Sequence, residues 1–373
     1  MKLTKEKLFY LVAWDKKDKT RTWSGTCWGL YLALQHFFYV EDINIKSKES
    51  SLWYKILRKI WFLKPDMGCK KILKNRKHLL PFFLKQKNPV KVFQFEEYIP
   101  TQGNVSTYIY QDLSVSYVKY MQMHLPEVFA LSGFNCFDKK TIEQKLALEV
   151  ANQKTCSALF CMGEWLKQDC IDRTGLSPEK VYAVGGGINL DKNKIKDTSL
   201  RSNNKILFVG RDFKRKGGYL VYDAFVLLKH SIPEAELYIA GPTKDPIRNP
   251  IEGYHYLGDC NHDILSDYFN RCDIFCMPSY FEAYGLAFIE ALTYGLPCIG
   301  RNCYEMPYFI QNGETGLLLD KDDPQLLASM MQRLLSDERI KNNVLAKREW
   351  YIANYSWDAV ATRIANIINS SVN

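Results

Sequence analysis

Short apolar segments alternate with amphipathic helical stretches twice along this chain, and this alternation most constrains its fold. Strands that come back after a helix must run parallel, and parallel sheets need helices on both faces. In the first half, Leu8–Trp14, Val90–Phe95, Ser106–Tyr110, Ala158–Met162 and Lys180–Val184 read as strands. Cys27–Phe38, Lys140–Cys156 and Glu164–Arg173 read as helices. In the second half the strands are KILFVG (205–210), ELYIAG (236–241), YHYLG (254–258), DIFCMPS (273–279), PCIG (297–300) and GLLLD (316–320). Helices are expected over about 218–230, 261–272, 285–294, 305–311, 323–336 and 337–354, with a last one over 357–368. Residues 185–204 are polar and aperiodic and read as a linker.

The expected fold class is α/β, with two doubly wound Rossmann-like domains facing across a cleft. The expected domains are 1–185 and 186–356, with a helix in 357–373 packing back on the first. A chain of 373 residues suits two domains. Hydrophobic residues make up 47% and charged residues 24%, which excludes a mostly disordered chain. The eleven cysteines are odd in number and lack C-x-x-C spacing, and several sit in apolar runs. They read as free thiols in a reducing compartment rather than as disulfides or a zinc site. The N-terminal apolar run is too short for a signal sequence, and no stretch approaches the ~18 apolar residues of a membrane span.

Doubly wound domains bind ligands at the carboxyl ends of their strands, so the loops after the strands carry the chemistry. VGRDFKRKGG (209–218) places Arg211 at a strand tip and Lys216 before a glycine pair and a helix. A planar guanidinium, a mobile ammonium and a helix N-terminus all suit a diphosphate. The loop would otherwise be a solvated basic turn. MPSYFEAYGLAFIEALTYGLPCIG (277–300) places Glu282 on a loop and Glu290 eight residues later inside a helix that Gly285 opens. The amides of Gly285, Leu286 and Ala287 offer an anion site, and carboxylates suit vicinal hydroxyls. Together they fit a nucleoside-diphosphate sugar. The plainer alternative is two glutamates on the surface of a helix, but Glu290 lies among Phe288, Ile289, Ala291 and Leu292.

FVGRDFKRKGG, the E-x7-E segment FEAYGLAFIEAL, GLPCIGRNC and QNGETGLLLDKDDPQLLA stand in the order seen in family 4 retaining glycosyltransferases of the GT-B type, which the second half resembles. WSGTCWGLYLAL and the stretch from Lys154 to Asp191 resemble the first half of that family more weakly, and about 45–90 has no counterpart. The resemblance implies that Arg211 and Lys216 grip the donor diphosphate and stabilise the departing nucleoside diphosphate. It implies that Glu290 accepts from ribose hydroxyls and that Glu282 lies by the transferred sugar. Gly285, Leu286 and Ala287 would give amides to the donor, Gly25 would let a first-domain loop close over it, and Gly258 to Cys260 would border the nucleobase. Many members carry a histidine where this chain has Gln111-Asp112, which makes Asp112 the candidate for that polar role. Where the family often has Pro-Glu, this chain has Pro307-Tyr308, leaving Glu305 as a shifted partner.

The implied reaction is sugar transfer, with retention, from a nucleoside-diphosphate sugar to a hydroxyl of a glycan or lipid-linked acceptor in surface polysaccharide or glycoconjugate synthesis. The donor is a co-substrate; no cofactor or metal is expected, and Asp320-Lys321-Asp322 reads as a solvated turn. A nucleotide-sugar 2-epimerase and a non-catalytic nucleotide-sugar-binding protein are the alternatives. Gly185-Gly186-Gly187 lacks the G-x-G-x-x-G spacing of nicotinamide enzymes.

The net charge of +9 is localised. Residues 46–91 hold fourteen Lys/Arg against Glu49 and Asp66, a net +12 that leaves the rest of the chain at −3. Within this segment SLWYKILRKIWFL (51–63) has apolar residues at helical spacing with basic ones between them. It reads as an element for an anionic membrane surface, against the alternative of a packed helix with a basic outer face. No nucleic-acid motif accompanies the charge. The expected location is cytoplasmic, peripheral on the inner face of the membrane.

Overall fold

The computed structural model describes residues 5–15, 18–45, 66–196 and 204–370. The helix expected over 51–63 lies outside the described residues, as does 197–203 of the expected linker. The chain forms two compact units, Met1–Gly187 with Trp357–Asn373, and Ile188–Ser356.

The first unit is built on a parallel sheet of β1 (Lys7–Val12), β2 (Tyr39–Asn44), β3 (Val90–Gln94), β4 (Val105–Gln111), β5 (Ala158–Cys161) and β6 (Val181–Ala183), in the order β2-β1-β3-β4-β5-β6. The inner strands are almost wholly buried, as expected for a sheet covered on both faces. The edge strand β2 escaped the sequence reading because it carries Glu41 and Asp42 and is only half-buried. Charges of this kind blunt a sheet edge, and they also remove the apolar signal. The helix Cys69–Leu84 was missed because its basic residues and Pro81 mask a buried stripe of Cys69, Ile72 and Phe83. Val115–His124 and Pro126–Leu131 are further helices that the sequence reading left unassigned.

The C-terminal helix Trp357–Ser370 belongs to this unit and packs against the helix Thr26–Leu34. Two glycines make room for it: a Cβ on Gly29 would stand 2.3 Å from the Trp357 indole, and one on Gly187 2.5 Å. In the glycine triplet, then, Gly187 serves helix packing, and the Gly185 carbonyl accepts from the Tyr110 hydroxyl.

The second unit holds a parallel sheet of β7 (Lys205–Val209), β8 (Glu236–Ala240), β9 (Tyr254–Gly258), β10 (Ile274–Cys276), β11 (Cys298–Arg301) and β12 (Gly316–Leu319), ordered β12-β11-β10-β7-β8-β9. Phe208, Phe225, Phe269 and Phe275 are fully buried in it. Each such side chain stabilises the fold by roughly 1.5–3 kcal/mol relative to an exposed one. The single helix expected over 337–354 is two, Glu338–Ala346 and Arg348–Asn354, parted at Lys347. All eleven cysteines are free and eight of them are buried. Among the described residues no helix is long and apolar enough to cross a membrane.

The two strand orders fix where ligands belong. In each sheet the order of connection reverses once, between β1 and β3 in the first and between β7 and β10 in the second. Strand tips diverge at such a switch point and leave a crevice. The loops after β7 and β10 are the two on which Arg211, Lys216 and Glu282 lie.

Candidate functional site

The loops after β7 and β10 touch. Gly217 has φ +77, and a Cβ there would stand 2.6 Å from the Pro278 carbonyl oxygen. Only glycine meets both demands, a left-handed turn and a near-contact with the neighbouring backbone. The Tyr280 amide donates to the Arg215 carbonyl at 2.9 Å and fixes the register of the two loops.

This approach brings Lys216 and Glu282 together. Lys216 Nζ lies 2.7 Å from Glu282 Oε2, with both side chains largely buried. Arg215 Nη1 lies 3.8 Å from the same oxygen and donates to the Phe281 carbonyl at 2.5 Å. The Ser279 hydroxyl reaches Oε2 at 3.5 Å. Burial alone would push the Glu282 pKa up, but Lys216 and then Arg215 outweigh it and hold the carboxyl below its ordinary value.

Glu290 sits in a different environment. Gly285 (φ 97, ψ 54) turns the chain into the helix Leu286–Thr293, on which Phe288 through Thr293 are buried. A side chain on Gly285 would stand 3.2 Å from Glu282 Cγ, so the helix start and the loop glutamate are in contact. Leu286 and Ala287 are half-buried at the first turn. Glu290 is 9% exposed and accepts from the Asn189 amide at 3.2 Å. Burial pushes its pKa up to about 7, against the pull of the Asn189 and Leu190 amides and of Lys216. Lys216 therefore acts on both glutamates of the E-x7-E pair.

Arg211 is brought to the tip of β9, where Nη2 lies 3.2 Å from Asp259 Oδ1, between Gly258 and Cys260. Its side chain is 68% exposed and its partner 45%, a pair of small intrinsic worth. Gly241 (φ +115) lets β8 approach Gly210, and the Cys260 thiol folds back on the Leu257 and Gly258 carbonyls.

Two arginines of this site were not singled out from sequence. Arg215 stands in the same basic run as Lys216. Arg301 ends β11, and its guanidinium donates to the Ser279 and Pro278 carbonyls at 3.1 and 3.2 Å while lying over the Tyr280 ring. It is anchored in turn by Asp322 at 2.6 Å, and Asp320 accepts from Asn302. The turn read as merely solvated thus braces the loop of Glu282, because β12 lies beside β11 and their tips meet. Reading every strand tip for arginine, rather than the glycine-rich ones only, would have found Arg301.

In the first unit, Gly25 (φ 97) precedes the helix Thr26–Leu34. Asp112 directly follows β4 and is half-buried. Burial, and then the charges of Asp112 and Glu96, push up the Cys27 thiol in the first turn after Gly25. Buried polar groups brace the Asp112 loop. Glu149 accepts from the Val115 amide at 2.7 Å, and Ser114 donates to Asp169 at 2.7 Å while capping the helix Val115–His124. Glu305 is buried just ahead of Met306–Phe309, whereas Tyr308 is exposed. Among the described residues no group of three or more His, Cys, Asp and Glu side chains is placed to hold a metal ion.

Residues 191–349 match the family model described as glycosyl transferases group 1. That match spans most of the second unit, which resembles a group 1 glycosyl transferase domain. The chain is 28% identical over 180 residues to a D-inositol 3-phosphate glycosyltransferase of Corynebacterium efficiens, covering 44% of this chain and 42% of that protein. It spans about half the length of the curated relatives it matches. Among solved structures, the sucrose-phosphate synthase of Thermosynechococcus elongatus superposes with a TM-score of 0.69 at 17% identity, covering 98% of each chain. Anabaena HepE, solved in complex with UDP and glucose, gives 0.62 at 13% identity over 98% of this chain and 100% of that one. These likenesses define the fold, which is GT-B.

Proposed function

We propose that the protein is a retaining, metal-independent glycosyltransferase that moves a sugar from a nucleoside-diphosphate sugar to a hydroxyl of a glycan or lipid-linked acceptor. The observation that carries this reading is Lys216, a largely buried cation at the switch point of a unit that matches the group 1 glycosyl transferase model, acting on both glutamates of an E-x7-E pair. The UDP and glucose bound by the HepE neighbour support a donor of this class.

In this reading Arg211 and Lys216 hold the diphosphate and stabilise the charge that grows on it as the glycosidic bond breaks. The amides of Gly285, Leu286 and Ala287 add their dipoles to it. Glu282 orients the transferred sugar and Glu290 the ribose, while Gly258 and Cys260 border the base. Two arginine or lysine cations do the electrostatic task that a metal ion does elsewhere.

The acceptor would be presented at an anionic membrane surface through residues 46–91. The described part of that segment supports this: Leu73, Phe82 and Leu84 are exposed alongside Lys70, Lys74, Lys77, Lys85 and Lys87. Sedimentation with anionic and neutral vesicles tests it, and equal, negligible binding to both removes the idea.

The catalytic assignment is tested by release of nucleoside diphosphate from a panel of donors, with and without acceptor. Turnover without acceptor that interconverts the sugar would instead mark an epimerase. Wild-type rates in both Lys216→Ala and Glu290→Ala would overturn the site.

A further inference from the structure

Lys216 is assigned two partners that it cannot serve at once, the Glu282 carboxylate it touches and the diphosphate of a bound donor. Its unbranched side chain and point charge suit a group that changes partner. Arg215 is built the other way. Its Nη1 donates to the Phe281 carbonyl, its Nε lies 3.4 Å from Asp212, its carbonyl takes the Tyr280 amide, and its side chain is only 20% exposed. A planar guanidinium fixed at several points stays where it is when a neighbour moves. It also approaches the same oxygen, Oε2, that Lys216 holds.

We propose that Arg215 is the standing counter-ion of Glu282, a positioning residue that keeps this carboxylate charged and in place while Lys216 turns from Glu282 to the donor diphosphate. The role rests on the donor reading given above and adds a residue to it. The groups facing Glu282 are Lys216 and Arg215 from the loop after β7, with Asp212 behind the guanidinium, and Ser279 from the tip of β10. On the following helix Glu290 shares Lys216. If Lys216 left and Arg215 were absent, Glu282 would keep a hydroxyl but, among the described residues, no paired cation in a largely buried site, and it would take up a proton.

The test follows the Glu282 carboxyl directly. The full chain is labelled with 13C at glutamate side-chain carboxyls, Glu282→Gln identifies the resonance, and the pH midpoint is read with and without inorganic pyrophosphate. In wild type the midpoint moves little on adding pyrophosphate. In Arg215→Met it lies higher by about one pH unit without pyrophosphate and higher again with it; Arg215→Lys recovers part of the shift. The acid limb of kcat moves up with it, while the donor KM changes less than about threefold. A thermal melt and the lysine variant separate these effects from simple misfolding. A midpoint in Arg215→Met equal to wild type under both conditions overturns the proposal. Should wild type bind no pyrophosphate and turn over no donor, the donor reading falls and the exchange of Lys216 with it; the midpoint alone then judges the counter-ion.

Discussion

The two switch points of this molecule share an architecture and differ in the side chains at their tips. In the second sheet, the tips of β7 and β10 carry Arg215, Lys216 and Glu282, knitted by ion pairs. In the first sheet, the loops after β1 and β3 carry Trp14, Trp23 and Phe95. Trp23 is edge-on to Phe95 at 5.3 Å and partly exposed, with its backbone in the left-handed region at φ 49. A bulky residue rarely takes that conformation, and such outliers gather at functional sites. The lesson is that connection order places a crevice, while the side chains at the tips set its chemistry: knitted ion pairs at one, aromatic rings at the other.

The largest expected effect comes from breaking the charged side. Lys216→Met should lower kcat/KM by about 10²–10³-fold, the usual cost of removing one preorganised electrostatic donor. The same change should leave the first unit's packing intact, which a fluorescence melt of the Trp-rich first unit would check.

Glu290 sharpens the charged side through pH. Its carboxyl titrates near 7 when folded against 4.5 ordinarily, so between these values the folded state binds more protons than the unfolded one. Stability therefore falls as pH rises through this window. Glu290→Gln should be more stable than wild type at pH 8 by about 1–3 kcal/mol in chemical denaturation, yet bind donor more weakly. In wild type, donor affinity should drop as pH falls below 7, because the neutral acid accepts ribose hydroxyls poorly. Calorimetric titrations at pH 6 and 8 read this.

Gly217→Ala strikes the contact between the loops. The added Cβ meets the Pro278 carbonyl at φ +77, and a loss of about 1–3 kcal/mol in chemical denaturation is expected. The smallest effect belongs to the aromatic side. Trp23→Ala should leave nucleoside diphosphate affinity within about twofold of wild type and raise the acceptor KM, by up to about tenfold for loss of one aromatic contact. Equal loss of both would dissolve the contrast between the two switch points.

How much of this was legible in the sequence follows the same physics. Most strands of the second unit are apolar runs ended by glycine or a charge, and all six were found within two or three residues. Glu282, Gly285 and Glu290 were legible because their spacing survives as a pattern. Edge strand β2 and the helix Cys69–Leu84 were not, since a charged edge and a basic helix with an inner proline blur the periodicity. The pairing of Lys216 with Glu282 depends on two loops 66 residues apart meeting at a glycine. The bracing by Arg301 and Asp322 depends on adjacent strands, and neither pairing has a signature along the chain.

The central claim is that the second unit holds a nucleoside diphosphate through Lys216. Calorimetric titration of nucleoside diphosphates into wild type and Lys216→Met at pH 8 tests it most directly. The account predicts that one of them binds the wild-type protein and that the variant loses at least tenfold in affinity. Binding to neither protein, or equal binding to both, would contradict it.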